Sequence, residues 1–546
     1  MNKKFTLKIF KLTIFSLIFL GIVSLAQSSE FPLIQYDTQV IYNEALPINV
    51  FPSAHRLRMI NLDPIISSPS RLSKGDSLVL NLFPDKTYTA EIDRIIVNKA
   101  GTISLRGRIQ GYSLGYVLIS TTEDRSLASI CVPEKGERYQ IQSDQITKTH
   151  FLLELNVAEL DQIEDGPALI PPESYSRSSD NSDLTEDKTL KGASDNIDVM
   201  IAYTPAAKQW ADTSGGGMAN VIAQAMEKAQ MTLDNSNTLL SMSLVHSVEI
   251  NYTESGSSNT DLYRLTFHSG YDPWGYEGEP RYMDDIHQLR TNYGADLVSL
   301  FALVSDTGGL GWLLNTTSGW PELGFCLVRV QQAGWTYTLV HELGHNMGLG
   351  HHKEQTVQPG PGLFSYSAGW RWVGNDSGKY CSVMTYENGQ YFSDGQTHTR
   401  VAYFSNPSIY HQGMATGNAQ DADNARNLRE IKSTVAAYKQ ITVSSLSVTP
   451  TTKAVENTSG TFSVTVTSNV AWTVFESSSW LSVSSTSGSN NSSFTVTYDA
   501  NTGTERSAVI TVSGGGKTAT VTVTQKSVNT EKSSALPGVF LLLLDK

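Results

Sequence analysis

The chain has 546 residues, enough at roughly 150 per domain for three or four cores. Its 40 basic and 53 acidic residues leave a net charge of −13, which argues against a protein that wraps nucleic acid or an anionic bilayer. Three cysteines exclude a disulfide-dense scaffold and leave one thiol without a partner in its own chain.

Lys3, Lys4, Lys8 and Lys11 precede an apolar run from Leu12 to Val23, and Ser24-Leu25-Ala26 places small residues before a cut at Gln27. This is the pattern of a signal peptide over 1–26, and it predicts a secreted or cell-surface protein. The run is shorter than the roughly 20 residues a spanning helix needs, and no other segment reaches that length, so no transmembrane span is expected. From residue 27 onward, runs such as "SLVLNLFPDKTYTAEIDRIIV" and "GTISLRGRIQGYSLGYVLIS" alternate apolar and polar residues and predict strands and hairpins. A stretch from Pro171-Pro172 to Asp195, rich in Ser, Asp, Glu and Lys, cannot bury enough surface to order itself. It reads as a linker in which Lys188 and Lys191 are open to a protease. Residues 27–194 are thus expected to be a β-rich propeptide and linker.

Residues 195–440 alternate strand and helix. "NIDVMIAYTP", "MSLVHSVEI" and "ADLVSLFALV" predict strands, while "MANVIAQAMEKAQMTLDNS", "MDDIHQLRTNYG" and "ADNARNLREIKSTVAAYK" predict helices. Alternation of this kind implies a largely parallel sheet flanked by helices. After Tyr438 the composition shifts to Ser, Thr and Val, and five alternating runs predict an all-β sandwich over 444–526, a region without histidine. Residues 527–546 form a tail.

The chemistry is concentrated in "HELGHNMGLGHH", residues 341–352, which holds four of the eleven histidines. His341 and His345 lie four apart, so on a helix they project within about 40° of each other and can grip one metal ion. Glu342 sits beside them, where it can take a proton from water. His351 would point roughly 240° away from His345 on a continued helix. Gly348 removes that obstacle, since glycine adopts the left-handed conformation that ends a helix and turns the chain back. Three neutral imidazoles with one open position are the ligand set of a catalytic Zn2+ site.

HExxHxxGxxH followed by a Met-turn, here "CSVMTY" with Met384, resembles the metzincin metallopeptidases. "DVMIAYTPAA", "GADLVSL", "HELGHNMGLGH" and "YFSNP" extend the likeness over roughly 195–440 to bacterial reprolysin-like enzymes, including the peptidyl-Asp metallopeptidase group. The resemblance implies a metzincin α/β catalytic domain, a twisted mixed sheet with the active-site helix at its back. It makes His341, His345 and His351 the zinc ligands, Glu342 the general base, and Met384 the floor under the metal. The activity it implies is that of a zinc endopeptidase acting on protein or peptide substrates, made as a zymogen.

Two features depart from the reprolysin pattern. His352 stands where such enzymes carry an acidic residue, and it is expected to be a solvated neighbour of the site. Tyr386 follows Met384 in an S-x-M-x-Y arrangement like that of astacins and serralysins, which leaves open a transition-state role or plain packing. The glycine-rich "GGLGWLL" resembles the family's edge strand, which would hold substrate by β-augmentation, with a simple loop as the other reading. Cys131 has two readings, a zinc thiolate that keeps the enzyme latent or a buried thiol. Cys326 and Cys381 flank the active-site helix in sequence and could form a bridge in an exported protein.

The C-terminal region resembles a BACON domain through "AWTV", "SSWLSVSSTSG" and "RSAVITVSGGGKTATVTVTQ". That family's name implies carbohydrate association, here with mucin as one candidate, although Trp472 and Trp480 read as buried core residues ahead of a sugar platform. The other function classes are an inactive metalloprotease-like adhesin or glycan-binding protein, against which the intact Glu342 argues, and a zinc hydrolase of non-peptide amides.

Overall fold

The computed structural model describes residues 29–35, 53–98, 100–123, 125–144, 148–171, 195–268, 282–439, 445–468, 470–489 and 491–528. The signal segment 1–26, Lys188 and Lys191 with the linker from residue 172, and all but the first two residues of the tail lie outside them. The chain divides into two compact units, Met1–Lys439 and Gln440–Lys546.

The alternating N-terminal runs form one nine-stranded sheet. "SLVLNLF" buries Leu78, Leu80 and Leu82, then turns through Pro84-Asp85 into the antiparallel strand Lys86–Val97. Leu33 and Gln35 hydrogen-bond to the 61–63 segment, tying the two ends of the sheet together. One face carries Leu80, Ile92, Leu105, Val117, Ile130 and Ile141 as a closed apolar core. Strand Tyr116–Thr122 is buried on both faces, because Tyr116 and Leu118 join the core of the following α/β region.

That region holds a five-stranded sheet in the order Ser241–Glu249, Asn196–Tyr203, Leu297–Ala302, Phe325–Arg329, Gly309–Gly311. The first four strands run parallel and the last is an antiparallel edge. Apolar layers cover both faces, so the central strands "DVMIA" and "LVSLFA" are continuously buried. The mixed sheet and its helices match the α/β architecture expected from the sequence.

Helix Met218–Asn235 is buried along nearly its whole length, although it carries Asn220, Gln224, Glu227, Lys228 and Gln230. The N-terminal sheet covers its outer side and takes hydrogen bonds from several of those polar groups, while Gln230 bonds within the α/β region to Asp234, Leu240 and Met242. Gln224 donates to Ser120 and to the Leu127 carbonyl, Lys228 donates to Tyr116, and Arg106 pairs with Asp234 at 2.8 Å. The sequence suggested separate folded units here; instead the N-terminal sheet and the α/β region share one core, because this helix is apolar or hydrogen-bonded on both sides.

The second unit is a sandwich of a four-stranded and a five-stranded sheet around Val464, Val466, Trp472, Phe494, Ile510 and Val521. Its five long strands fall where the alternation predicts. Four further strands of three or four residues, such as Leu481–Val483, are too short for alternation to reveal. No helix among the described residues is long and apolar enough to cross a membrane.

Candidate metal centre and active-site cleft

Helix Thr338–Asn346 carries His341, Glu342 and His345, all buried. It ends through Gly348 at φ +83°, where a Cβ would strike Leu363, and the chain turns back to bring in His351. The expected reversal is therefore present. The three Nε2 atoms stand 3.1, 3.1 and 3.2 Å apart. Such a triangle fits one face of a tetrahedron around an ion with bonds of about 2.0–2.1 Å.

Backbone carbonyls fix the ring orientations. His341 Nδ1 donates to Val383 at 2.9 Å, His345 Nδ1 to Leu349 at 2.9 Å and His351 Nδ1 to Gln358 at 3.2 Å. With each Nδ1 proton so engaged, the Nε2 lone pairs all face the common point. Burial pushes the three imidazoles down, His345 to about 4, so they stay neutral as metal ligation requires. Burial pushes the Glu342 carboxyl up, and the nearby Asp165 charge pushes it further. Both Glu342 oxygens and the Tyr386 hydroxyl are buried without a hydrogen-bond partner among the described residues. Three convergent imidazoles beside three orphaned oxygens are a donor set that fits a zinc ion with its water.

Met384 follows Val383 and packs beneath the helix, where a Cβ on Gly344 would lie 2.9 Å from its sulfur. The Tyr386 ring stands 4.9 Å from that of His351. Strand Gly309–Gly311 is the sheet edge, as "GGLGWLL" suggested, and it lies against the same helix: Asn346 Nδ2 donates to the Trp312 and Phe325 carbonyls.

His352 is a correction. It is buried, against the solvated position expected, because Trp370 and Phe392 close over its ring at 6.0 and 5.5 Å. The bridge between Cys326 and Cys381 is a second. Both are free thiols, Cys326 held in the five-stranded sheet and Cys381 in a separate three-stranded one opposite Arg371. Cys131 is a third. It is a buried free thiol in the core with Tyr116, Leu127 and Tyr337, and does not join the groups that converge on the histidines.

A different N-terminal segment enters the cleft. Residues 164–169 run along the edge strand, with hydrogen bonds from Gly308 to the Glu164 carbonyl, Gly166 to Gly309, Leu169 to Gly311, and Leu313 to Leu169. Gln332 bonds both backbone groups of Ile163, and Gln358 both of Ala168. Arg329 holds Asp161 at 2.6 Å. Within this arm, the Asp165 carboxylate accepts from Thr338 Oγ1 and Arg400, each at 2.9 Å, and lies 3.6 Å from His341 Nδ1. Asp165, Thr338 and Arg400 carry no sequence motif. The one local signal is an acidic pair before glycine, "EDGPA", just ahead of the linker.

Residues 193–405 match the reprolysin-type model of metallo-peptidase family M12. Residues 470–526 match the BACON binding-domain model. Among the chain's relatives is the peptidyl-Asp metalloendopeptidase of Stenotrophomonas maltophilia (strain R551-3), 30% identical over 248 residues, or 45% of this chain and 54% of that protein. The peptidyl-Asp metalloendopeptidase of Pseudomonas aeruginosa is 26% identical over 46% of this chain and 41% of its own length. The chain thus spans about half the length of the curated relatives it matches. Metalloproteinase-II from Bacteroides fragilis overlaps 61% of this chain and 91% of its own at 10% identity and a TM-score of 0.35, too loose a likeness to carry an argument.

Proposed function

We propose that this protein is an exported, zinc-dependent endopeptidase held latent by its N-terminal region. The observation that carries the reading is the convergence of three neutral imidazoles on one point, with an unpartnered Glu342 carboxylate beside it and a sheet edge alongside. His341, His345 and His351 would hold the ion. When bound there, zinc would supply Lewis-acid polarisation of a carbonyl and make water acidic enough to attack near neutral pH.

The remaining work falls to the chain's own residues. The edge strand Gly309–Gly311 offers backbone groups to an extended peptide. Glu342, in a pocket that disfavours its charge, takes the proton of the attacking water and delivers it to the leaving amine. The Tyr386 hydroxyl, buried without a hydrogen-bond partner among the described residues, would donate to the developing oxyanion. Arm residues 161–169 occupy the same edge and cleft, so the N-terminal region covers the site until the linker is cut.

Limited proteolysis that removes the N-terminal region is expected to release peptide cleavage that a chelator abolishes and added zinc restores. A peptide library left intact after that removal would contradict the reading. The relatives' name refers to aspartyl residues; on this chain the selectivity question turns on Arg400.

A further inference from the structure

Arg400 is a buried guanidinium beside the catalytic groups whose charge the α/β region does not itself neutralise at hydrogen-bond distance. Its Nε donates to the Thr385 carbonyl at 3.1 Å. Among the described residues, its two terminal nitrogens donate only to the arm: one to Asp165 at 2.9 Å, the other to Glu164 at 3.0 Å. The Asp165 side chain has no exposed surface and that of Arg400 only 3%. Burial works against the guanidinium charge, but Asp165, Glu164 and Glu387 more than offset it. Once the arm leaves, both carboxylate bonds go with it. A buried cation stripped of its partner is costly, typically by several kcal/mol, unless another anion replaces it.

The place of this cation is specific. Carboxylate oxygens of Asp165 and Glu342 and a ring nitrogen of His341 all lie within 4.8 Å of one another. Thr338, one helical turn before His341, supplies a second donor to the same carboxylate oxygen cluster. The backbone on either side of Asp165 is held to the strand beside Glu342: Gly308 donates to the Glu164 carbonyl and Gly166 to that of Gly309, where a Cβ would lie 2.5 Å from Glu342 Oε1. That is the position of a residue flanking the bond to be cut. Asp165 also pairs its neighbours, Glu164 and Gly166, with the edge strand, as a bound peptide would.

We infer that Arg400, with Thr338, forms the pocket that selects a carboxylate side chain next to the scissile bond, and that Asp165 is its built-in occupant. The inference rests on the peptidase reading and adds to it the group that sets substrate preference. Arg400 is then the specificity-determining residue, and the arm keeps the enzyme latent by presenting the side chain the pocket is made to receive. A guanidinium donating two charge-assisted bonds in a water-excluded site discriminates strongly between a carboxylate and its amide.

The test uses the zinc-loaded full chain carrying Glu164→Gln and Asp165→Asn, which keeps the arm and takes both carboxylates from Arg400. Two fluorescent peptides of the arm sequence 162–168, one with Asp and one with Asn at the central acidic position, are titrated by anisotropy. The Asp peptide is expected to bind at least about tenfold more tightly. Equal affinities would overturn the inference. The same chain is also given a peptide library. Cuts are expected to cluster beside an acidic residue, with the preference lost on adding Arg400→Gln and partly kept with Arg400→Lys. Cleavage without acidic bias, or bias that survives Arg400→Gln, would overturn the pocket assignment and leave the peptidase reading standing. If the full chain cuts nothing, the library is given again after limited proteolysis removes the N-terminal region. A chain still silent then would contradict the peptidase reading, and the ratio of the two peptide affinities would decide the pocket alone.

Discussion

Gly309 and Glu342 approach so closely that a Cβ on the glycine would lie 2.5 Å from Oε1 and 2.7 Å from Cγ of the glutamate. The same atom would lie 2.6 Å from Thr338 Cγ2, on the helix itself. The edge strand can thus lie flush against the Glu342 carboxylate only without a side chain at this position. Gly309→Ala is expected to displace either the strand or Glu342. Peptide cleavage should fall at least about tenfold, with a stability loss of about 1–3 kcal/mol by urea unfolding. Bound zinc measured by elemental analysis should stay at the wild-type level, since the three imidazoles are held from elsewhere.

Lys228 joins the two halves of the first unit and makes their docking depend on pH. Its ammonium is buried on helix Met218–Asn235, 2.8 Å from the Tyr116 hydroxyl, with Cys131, Arg138 and Tyr337 nearby. Burial pushes it down to about 7 from an ordinary 10.5. The unfolded chain then binds more protons between those values, so stability rises with pH across that window and stays at its lower level below it. Thermal unfolding should show the wild type gaining stability from pH 7.5 to 9.5, at up to about 1.4 kcal/mol per unit. Lys228→Met should remove that gain, and an unchanged slope in the variant would refute the assignment.

Latency should follow the arm and not the thiol. Cys131→Ser is expected to leave the full chain as inactive as before, whereas Asp165→Ala should raise its peptide cleavage severalfold or more. Alkylation of the denatured, unreduced protein should label all three cysteines, as the free thiols in the structure require. A mass showing Cys326 joined to Cys381 would count against this arrangement.

In the second unit, Trp472 is a core residue: it is 2% exposed and packs so tightly that a Cβ on Gly488 would lie within 3 Å of its ring. Trp472→Ala should cost about 3–5 kcal/mol by denaturant unfolding. Trp480 is half-buried with Arg506 4.4 Å over its ring, so Trp480→Ala should cost less. If the domain associates with glycans, binding on an array should respond to Trp480 and not merely track stability.

The three converging histidines and Glu342 were legible because helical geometry turns a spacing of four residues into a shared face, and Gly348 marks where the helix must stop. The edge strand was legible from glycines that the close approach to Glu342 demands. Arg400 and Asp165 were not: they meet across 235 positions, and no local periodicity records such a contact. The burial of His352 escaped for the same reason, since Trp370 and Phe392 reach it from later in the chain. The expectation of a Cys326–Cys381 bridge followed proximity in sequence to one helix, whereas the two strands that carry them belong to different sheets. The periodicity of helix Met218–Asn235 revealed the helix but not its burial on both sides, because Asn220, Gln224 and Lys228 bind partners in the N-terminal sheet that lie about a hundred positions away.

The central claim is that Glu342 does the proton transfer at a zinc site made by three histidines. Its most direct test is Glu342→Gln in the chain freed of its N-terminal region, measured for zinc content and peptide cleavage together. The account predicts one zinc per chain, as in the wild type, with cleavage reduced by at least about a hundredfold. Cleavage at the wild-type rate with zinc still bound would contradict it.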